Sequence, residues 1–465
     1  MVSDTARRST DVHGQGVVVR QGLVWLGRVL VALVLLAAVL FAGSRWLGRD
    51  SAELRLMEEA SPAPGRNAFA VLWLMPYDIP PDEIEAVAAQ DVRRFAARDP
   101  ADTSEFVSSA EGRYPRAADS SGGSPEWCDW RGNGCLAHVR ANRDALAKAL
   151  AERAPVIDRM RALSGVGHHR DLFKPVVHRP LSIPIGTYSR ELLTAQALTV
   201  VDGDAAGAMA DLCTTVSTWR PLAANSDSLI ATMLAMSIVE SSSRLLADVL
   251  AEQPAGQPIP SACKTAYVPP EPAEYLPCAA MRGELEFVDG AVKTMDREAL
   301  EKPWGWLVYD RQMTRVRTAN HMAHSCKRDV QEAALRGEPI TVPGAGGLAT
   351  PLCAGNLAGC LVTEIAAPAY TDYLHRTQDH AARLQAMELL LRLHENTDDR
   401  SYGERLATMP ADSIPTGRKT EVVDTDGGEA LRLELFWQGQ GRYWEVPLTA
   451  PVDPAVSPPP TGGAA

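Results

Sequence analysis

Leu229–Val239 reads LIATMLAMSIV, and its apolar side chains recur on nearly every side of a 3.6-residue helix rather than along one stripe. A helix that is apolar all round needs cover all round, which predicts a central element in a packed array. Its neighbours supply the cover. Ser189–Val201, Asp204–Trp219 and Asp227–Glu252 read as three successive helices, divided by the turn signals DGD (202–204) and RPLAANS (220–226).

The pattern continues in both directions. Upstream, helix formers fill Asp82–Arg98 after DIPPDE, and Leu136, Val139, Leu146, Leu150 and Ile157 recur at helical spacing until Pro155 interrupts or restarts the helix. DSSGGSPE (119–126) reads as a flexible loop. Downstream of the Pro-rich connector QPAGQPIPSACKTAYVPPEPAEYLP (253–277), helices are expected near Ala280–Glu301, Arg311–Arg336 and Thr371–Glu395. The period changes only near the end, where LRLELFWQGQGRYWEVPL (431–448) alternates about a Gly-containing turn and KTEVV (419–423) offers a third strand. The expected fold is mainly α: an irregular multi-helix array, solenoid-like or bundled, with a small C-terminal antiparallel β hairpin or meander.

Gly22–Gly43, GLVWLGRVLVALVLLAAVLFAG, holds a single ionisable residue, Arg28. At 1.5 Å per residue it reaches about 33 Å, enough for a hydrocarbon core of roughly 30 Å, and Arg28 lies near enough to its start to snorkel. Arg7, Arg8 and Arg20 precede it and Arg45 and Arg49 follow, a slight bias toward a cytoplasmic N-terminus. A cleaved signal peptide is the competing reading. The apolar run is long for one, and FAGSRWLG (41–48) offers no A-x-A-like site, so an uncleaved anchor is expected.

All eight cysteines lie beyond this segment, as befits a body in an oxidising compartment. Cys128 and Cys135 in WCDWRGNGCL have the same six-residue separation as Cys353 and Cys360 in CAGNLAGC. Zinc knuckles space their ligands more closely and a thioredoxin-like centre needs C-x-x-C, so these four are expected in disulfides. Closing an eight-residue loop is worth about 2.5 kcal/mol in the chain-entropy model. Cys213, Cys263, Cys278 and Cys326 cannot be paired from sequence, and Cys213, inside an apolar helix, reads equally well as a buried thiol.

The net charge is −12, while the first fifty residues hold six Arg against three Asp, so the remainder is still more acidic. Such a body repels phosphate backbones and anionic lipid surfaces, and nucleic acid is not an expected partner. No G-x-S-x-G elbow, P-loop or dinucleotide fingerprint occurs. VVDTDGGE (422–429) resembles part of a calcium loop but lacks the ligand series and reads as a hairpin turn. His321 and His324 in ANHMAHSCKRD share a helical face near Cys326 and Asp329, the best metal candidates in the chain, although a polar helix surface explains them as well. His168, His169 and His178 read as exposed connector residues. Trp304, Trp306 and Tyr309 are expected in core packing or a loop plug, with a partner contact as the alternative, and Trp437, Tyr443 and Trp444 as cross-strand partners.

Taken in order, several short motifs resemble an uncharacterised family of anchored envelope proteins of Gram-negative bacteria. They are Asn67 with NAFAVLWL, Cys135-Leu136, Gly203-Asp204, Arg220 followed by Ser228–Ile230, Asn356 with Gly359, and Tyr370, Tyr373, Arg376 and Asp379 in YTDYLHRTQD. They span most of residues 67–447, and Leu357 stands where members often carry proline. The resemblance implies a helical ectodomain and no known activity.

The expected organisation is a cytoplasmic N-terminus (1–21), an inner-membrane anchor (22–43), a juxtamembrane linker (44–66), a helical periplasmic body (67–410), a small β element (411–448) and a disordered tail (449–465). The expected function is envelope interaction or scaffolding, without cofactor or catalytic residues. The alternative is a periplasmic hydrolase or metal-dependent enzyme using His321 and His324.

Overall fold

The computed structural model describes residues 8–450 except 100–101, 117–125, 130, 164, 174–178, 181–184, 301, 303, 345–346, 348–349 and 440; the side chains of 8–22, 185–187 and 294–300 are also outside the description. Most of the DSSGGSPE loop, His178 and nearly all of the expected tail therefore lie outside the described residues.

The chain opens with α1 (Arg8–Leu47), which includes the apolar run; every side chain from Leu23 to Arg28 is exposed, and α1 is long and apolar enough to cross a membrane. Residues 44–66, expected as a linker, instead carry α2 (Ala52–Glu58), whose Leu54 and Met57 are buried in the body. Ser51 caps α2 at 3.0 Å from the Leu54 N–H, so a short amphipathic turn forms where only polarity was apparent. β1 (Arg66–Asn67) follows, then α3 (Phe69–Trp73) and α4 (Ile84–Ala96), which enclose a small aromatic core with Phe95, Phe106 and Phe173.

Next come α5 (Cys135–Ala141) and α6 (Arg143–Arg161). The break falls at Asn142, and α6 runs unbroken through Pro155. Pro155 and Ala151 both lie on the exposed side of α6, where the carbonyl that proline leaves without its helical donor is nearest to solvent. β2 (Val166–His168) pairs in parallel with β1, an element the periodicity does not announce. It carries His168 into the interior, 7% exposed with Nδ1 2.8 Å from the Pro64 carbonyl, and His169 beyond it is 1% exposed. The connector histidines 168 and 169 are thus buried, not exposed, because this short strand pins them.

α7 (Ile185–Val201), α8 (Ala205–Ala224) and α9 (Leu229–Ala251) are the three expected helices, with α8 capped by Asp204 and α9 by Ser228. α9 is central, touching α5, α7, α8, a later helix pair and the terminal sheet. It is also long and apolar enough to cross a membrane, yet it is mostly buried in the body. α10 (Ser261–Ala266), α11 (Cys278–Leu300), α12 (Gly305–Val308), α13 (Arg311–Met322) and α14 (Arg328–Leu335) follow. The single helix expected over 311–336 is split by a 3-10 turn at Ala323–Cys326, after which Lys327 is extended. α15 (Leu357–Glu395) starts well before Thr371 and ties two cores together: Tyr370 and Leu374 pack with α2, α11 and α13, while Ala382–Leu393 pack with α5–α9.

After α16 (Tyr402–Ala407), β3 (Thr420–Thr425), β4 (Gly428–Glu434) and β5 (Tyr443–Pro447) form the expected antiparallel meander in the order β3-β4-β5. Leu431, Leu433, Trp444 and Val446 face the helical core, so the meander shares its interior with the helices. Its first connection is Asp426-Gly427, the turn expected from DTDGGE. Cys128–Cys135 and Cys353–Cys360 are disulfides as expected. Cys213–Cys263 and Cys278–Cys326 complete the set, so Cys213 is buried but not a thiol.

Candidate binding cleft

α9 is covered on most sides but not on all. Ile230, Met233, Leu234 and Ser237, spaced as one helical stripe, lack the full burial of their neighbours and floor a cleft of about 390 Å³ between α9, α15 and the loop after β4. The apolar circumference of this helix therefore has two sources: core on most of it and an open cleft on the remainder. Across the cleft, α15 presents Tyr373, Arg376, Asp379 and Arg383 at intervals of three and four residues.

Asp379 builds the far wall. Its carboxylate accepts from the Phe436 and Trp437 N–H groups at 2.9 Å each and pairs with Arg418. Both partners of that pair are almost wholly enclosed, with side-chain exposures of 2% for Arg418 and 1% for Asp379. Burial pulls the Arg418 guanidinium below its usual range and Asp379 opposes the shift. The Arg418 guanidinium also lies 3.3 Å from the Phe436 ring centroid. These contacts turn the chain after β4 so that Trp437 lies under Arg376, whose guanidinium carbon is 3.8 Å from the indole centroid. Trp437 is thus a cleft residue and not the cross-strand partner expected, because β4 has already ended at Glu434.

The charges of the cleft are unequally committed. Arg383 pairs with Glu240 at 3.0 Å and Arg244 lies 3.4 Å from the same carboxylate. Arg376 stacks on Trp437 and Tyr373, and its buried Nε has no hydrogen-bond partner among the described residues. An apolar floor with one cation held over an indole is the chemistry of a site for an apolar group bearing an acidic end.

A second recess of about 400 Å³ contains Arg220, but that guanidinium is consumed by the structure. It grips Glu274 at 2.7 and 2.8 Å and donates to the Ala266 and Val268 carbonyls. Asn67 and Asn356 serve similarly. Asn67 bridges the Arg170 backbone and the Phe69 N–H, and Asn356 accepts from the Asp310 N–H at 2.8 Å and holds Thr314. Gly359 lies against Asn356 and Thr314 so closely that a Cβ would meet the threonine hydroxyl at 2.0 Å. Most of the short motifs read in the sequence are therefore structural ties, while Ile230, Tyr373, Arg376 and Asp379 converge on the cleft.

His321 and His324 stand elsewhere. His321 lies on α13 and His324 in the following 3-10 turn, and burial lowers the pKa of both, with Arg317 and Lys327 adding to the shift. Nearby Cys326 is locked to Cys278. Among the described residues no group of three or more His, Cys, Asp or Glu is placed to hold a metal. The geometry thus gives this pair no third ligand among those residues.

Fold and cleft together define a mainly helical, disulfide-stapled body with a C-terminal β meander, carried behind a long apolar helix. Compared with known protein families, curated proteins and solved structures, the chain matches none.

Proposed function

We propose that the protein is a single-pass inner-membrane protein whose body stands in the periplasm and acts in envelope interaction, with the α9–α15 cleft as its recognition site. The observation that carries the reading is the uncovered stripe of α9 facing Arg376 on Trp437, on a body tethered by an exposed apolar helix. Four disulfides support an oxidising compartment. The topology has support as well: Arg45 and Arg49, which follow the apolar run, are engaged with the body through Asp310, leaving Arg7, Arg8 and Arg20 as the cytoplasmic charges.

The test is crosslinking in intact cells followed by purification of the full chain. A reproducible envelope protein should be recovered with the wild type and lost with Met233→Asp and with Arg376→Glu, both of which alter partly exposed positions. Recovery of no envelope partner, or equal recovery by both variants, rejects the cleft as a recognition site.

A further inference from the structure

Among the exposed apolar side chains of the body that belong neither to the cleft nor to a core, one group lies on the segments that meet the end of α1 at Trp306 and Gly355 or directly follow that contact. Trp304 and Trp306 flank the start of α12, at 54% and 49% exposure. Leu357, Leu361 and Ile365 form a stripe on the first turns of α15, and Ile365 is 72% exposed. Leu352 joins them from the 3-10 turn Pro351–Gly355. Single exposed apolar residues need no explanation, but a cluster containing two tryptophans does.

Their position follows from how α1 is fastened. The Arg45 side chain donates to the backbone carbonyls of Gly355, Trp306 and Tyr309, and Phe41 meets the Trp306 ring edge-on at 5.8 Å. Gly355 permits this approach, since a Cβ there would lie 2.6 Å from the Ser44 hydroxyl. Cys353–Cys360 then joins the turn to the first helical turn of α15. The staple therefore ties the turn that carries Leu352, and that meets α1 at Phe41–Arg45 where the apolar run ends, to the helical start that carries Leu357 and Leu361. Trp25, within the first turn of that run, and Trp46, just beyond its end, are both exposed, and their separation of about 32 Å along the helix matches a hydrocarbon core of roughly 30 Å. Trp306 packs on Phe41, five residues before Trp46, and tryptophan is a residue that membrane proteins concentrate at the membrane–water interface.

We infer that this face, Trp304, Trp306, Leu352, Leu357, Leu361 and Ile365, is a seat that dips into the periplasmic leaflet beside α1, so that the body lies on the bilayer in a fixed orientation. The inference rests on the membrane reading of α1 given above. The occupant is lipid because the segments that carry the patch are fastened to the end of α1, whose apolar run is exposed, and because the patch is uncharged and includes two exposed tryptophans, so that its contact does not draw on the charge of the rest of the body. The orientation is fixed because α1 is bonded to the body through Arg45 and Arg49 and is not joined by a free linker.

The full chain, carrying a photoreactive benzophenone side chain at Ile365, is reconstituted into phosphatidylethanolamine–phosphatidylglycerol vesicles and irradiated. Leu33, within α1, and Asp424, exposed on β3, serve as reference positions. Lipid adducts at Leu33 and Ile365 with none at Asp424 support the seat. Adducts at Leu33 alone overturn it while leaving the anchor intact, and adducts at neither position overturn the anchor and the seat together. Crosslinking of Ile365 to a second copy of the chain in place of lipid also overturns it, by making the face an interface between copies.

Discussion

Replacing Asp379 by asparagine tests whether one buried carboxylate both stabilises the fold and shapes the cleft. In the native protein its two oxygens receive the Phe436 and Trp437 N–H groups and the Arg418 guanidinium. The asparagine side chain is nearly the same size, so little cavity is created. The Arg418 side chain, 2% exposed, loses its counter-charge, and breaking a buried pair from one side costs about 3–5 kcal/mol. A single amide oxygen also replaces two carboxylate oxygens, leaving a backbone donor short by about 1 kcal/mol. The expected loss is therefore about 4–6 kcal/mol, read by urea denaturation of the full chain in detergent under non-reducing conditions. If the uncompensated charge dominates, Asp379→Asn with Arg418→Met should recover most of the loss, since the second change removes the stranded cation. A single-variant loss below about 1 kcal/mol, or a double variant no more stable than the single, refutes the argument.

Other perturbations separate the remaining forces. In the chain-entropy model the Cys213–Cys263 bridge, across a separation of 50 residues, is worth about 4 kcal/mol against about 2.5 for Cys128–Cys135, so pairwise Cys→Ala replacement should lower stability more at the first. Gly283→Ala puts a Cβ 1.8 Å from the Asp227 carbonyl oxygen, backbone that cannot swing aside, and should cost at least about 1–3 kcal/mol in thermal unfolding. Burial pushes the His380 imidazole down to about 3, with Arg220 and Arg383 adding to the shift. Between that value and the ordinary His range the unfolded chain binds a proton that the folded chain does not. Its contribution is therefore full above about pH 6.5 and falls by roughly 1.4 kcal/mol per unit as pH drops toward 3. His380→Gln should flatten that part of the stability profile.

How far the sequence carries can be judged from particular elements. The central helix, its two predecessors and the terminal meander were legible because their signals are local: a 3.6-residue period, a 2-residue period, and capping or turn residues such as Asp204, Ser228 and Asp426-Gly427. The same local reading misplaces the break near Pro155, since proline's cost inside a helix can be outweighed by the burial of the residues on either side, here Leu150, Val156, Ile157 and Met160. It also misses α2, too short for periodicity to register, and the β1–β2 pair, whose partners are about a hundred residues apart. The cleft was legible only in fragments. Ile230, Tyr373, Arg376 and Asp379 were noticed as motif residues, but nothing in their spacing tells that the loop after β4 brings Trp437 beneath Arg376.

By itself the sequence determined the class of fold, the long apolar segment, and the two short disulfide loops, because each depends on residues within a few turns of one another. Tertiary structure decided which cysteines close the long loops, which face of an all-apolar helix stays open, and that Trp306 lies beside the end of α1. Those outcomes depend on contacts between segments far apart in the chain. Composition states what must be buried or covered, but only the packed arrangement determines what does the covering and where it stops.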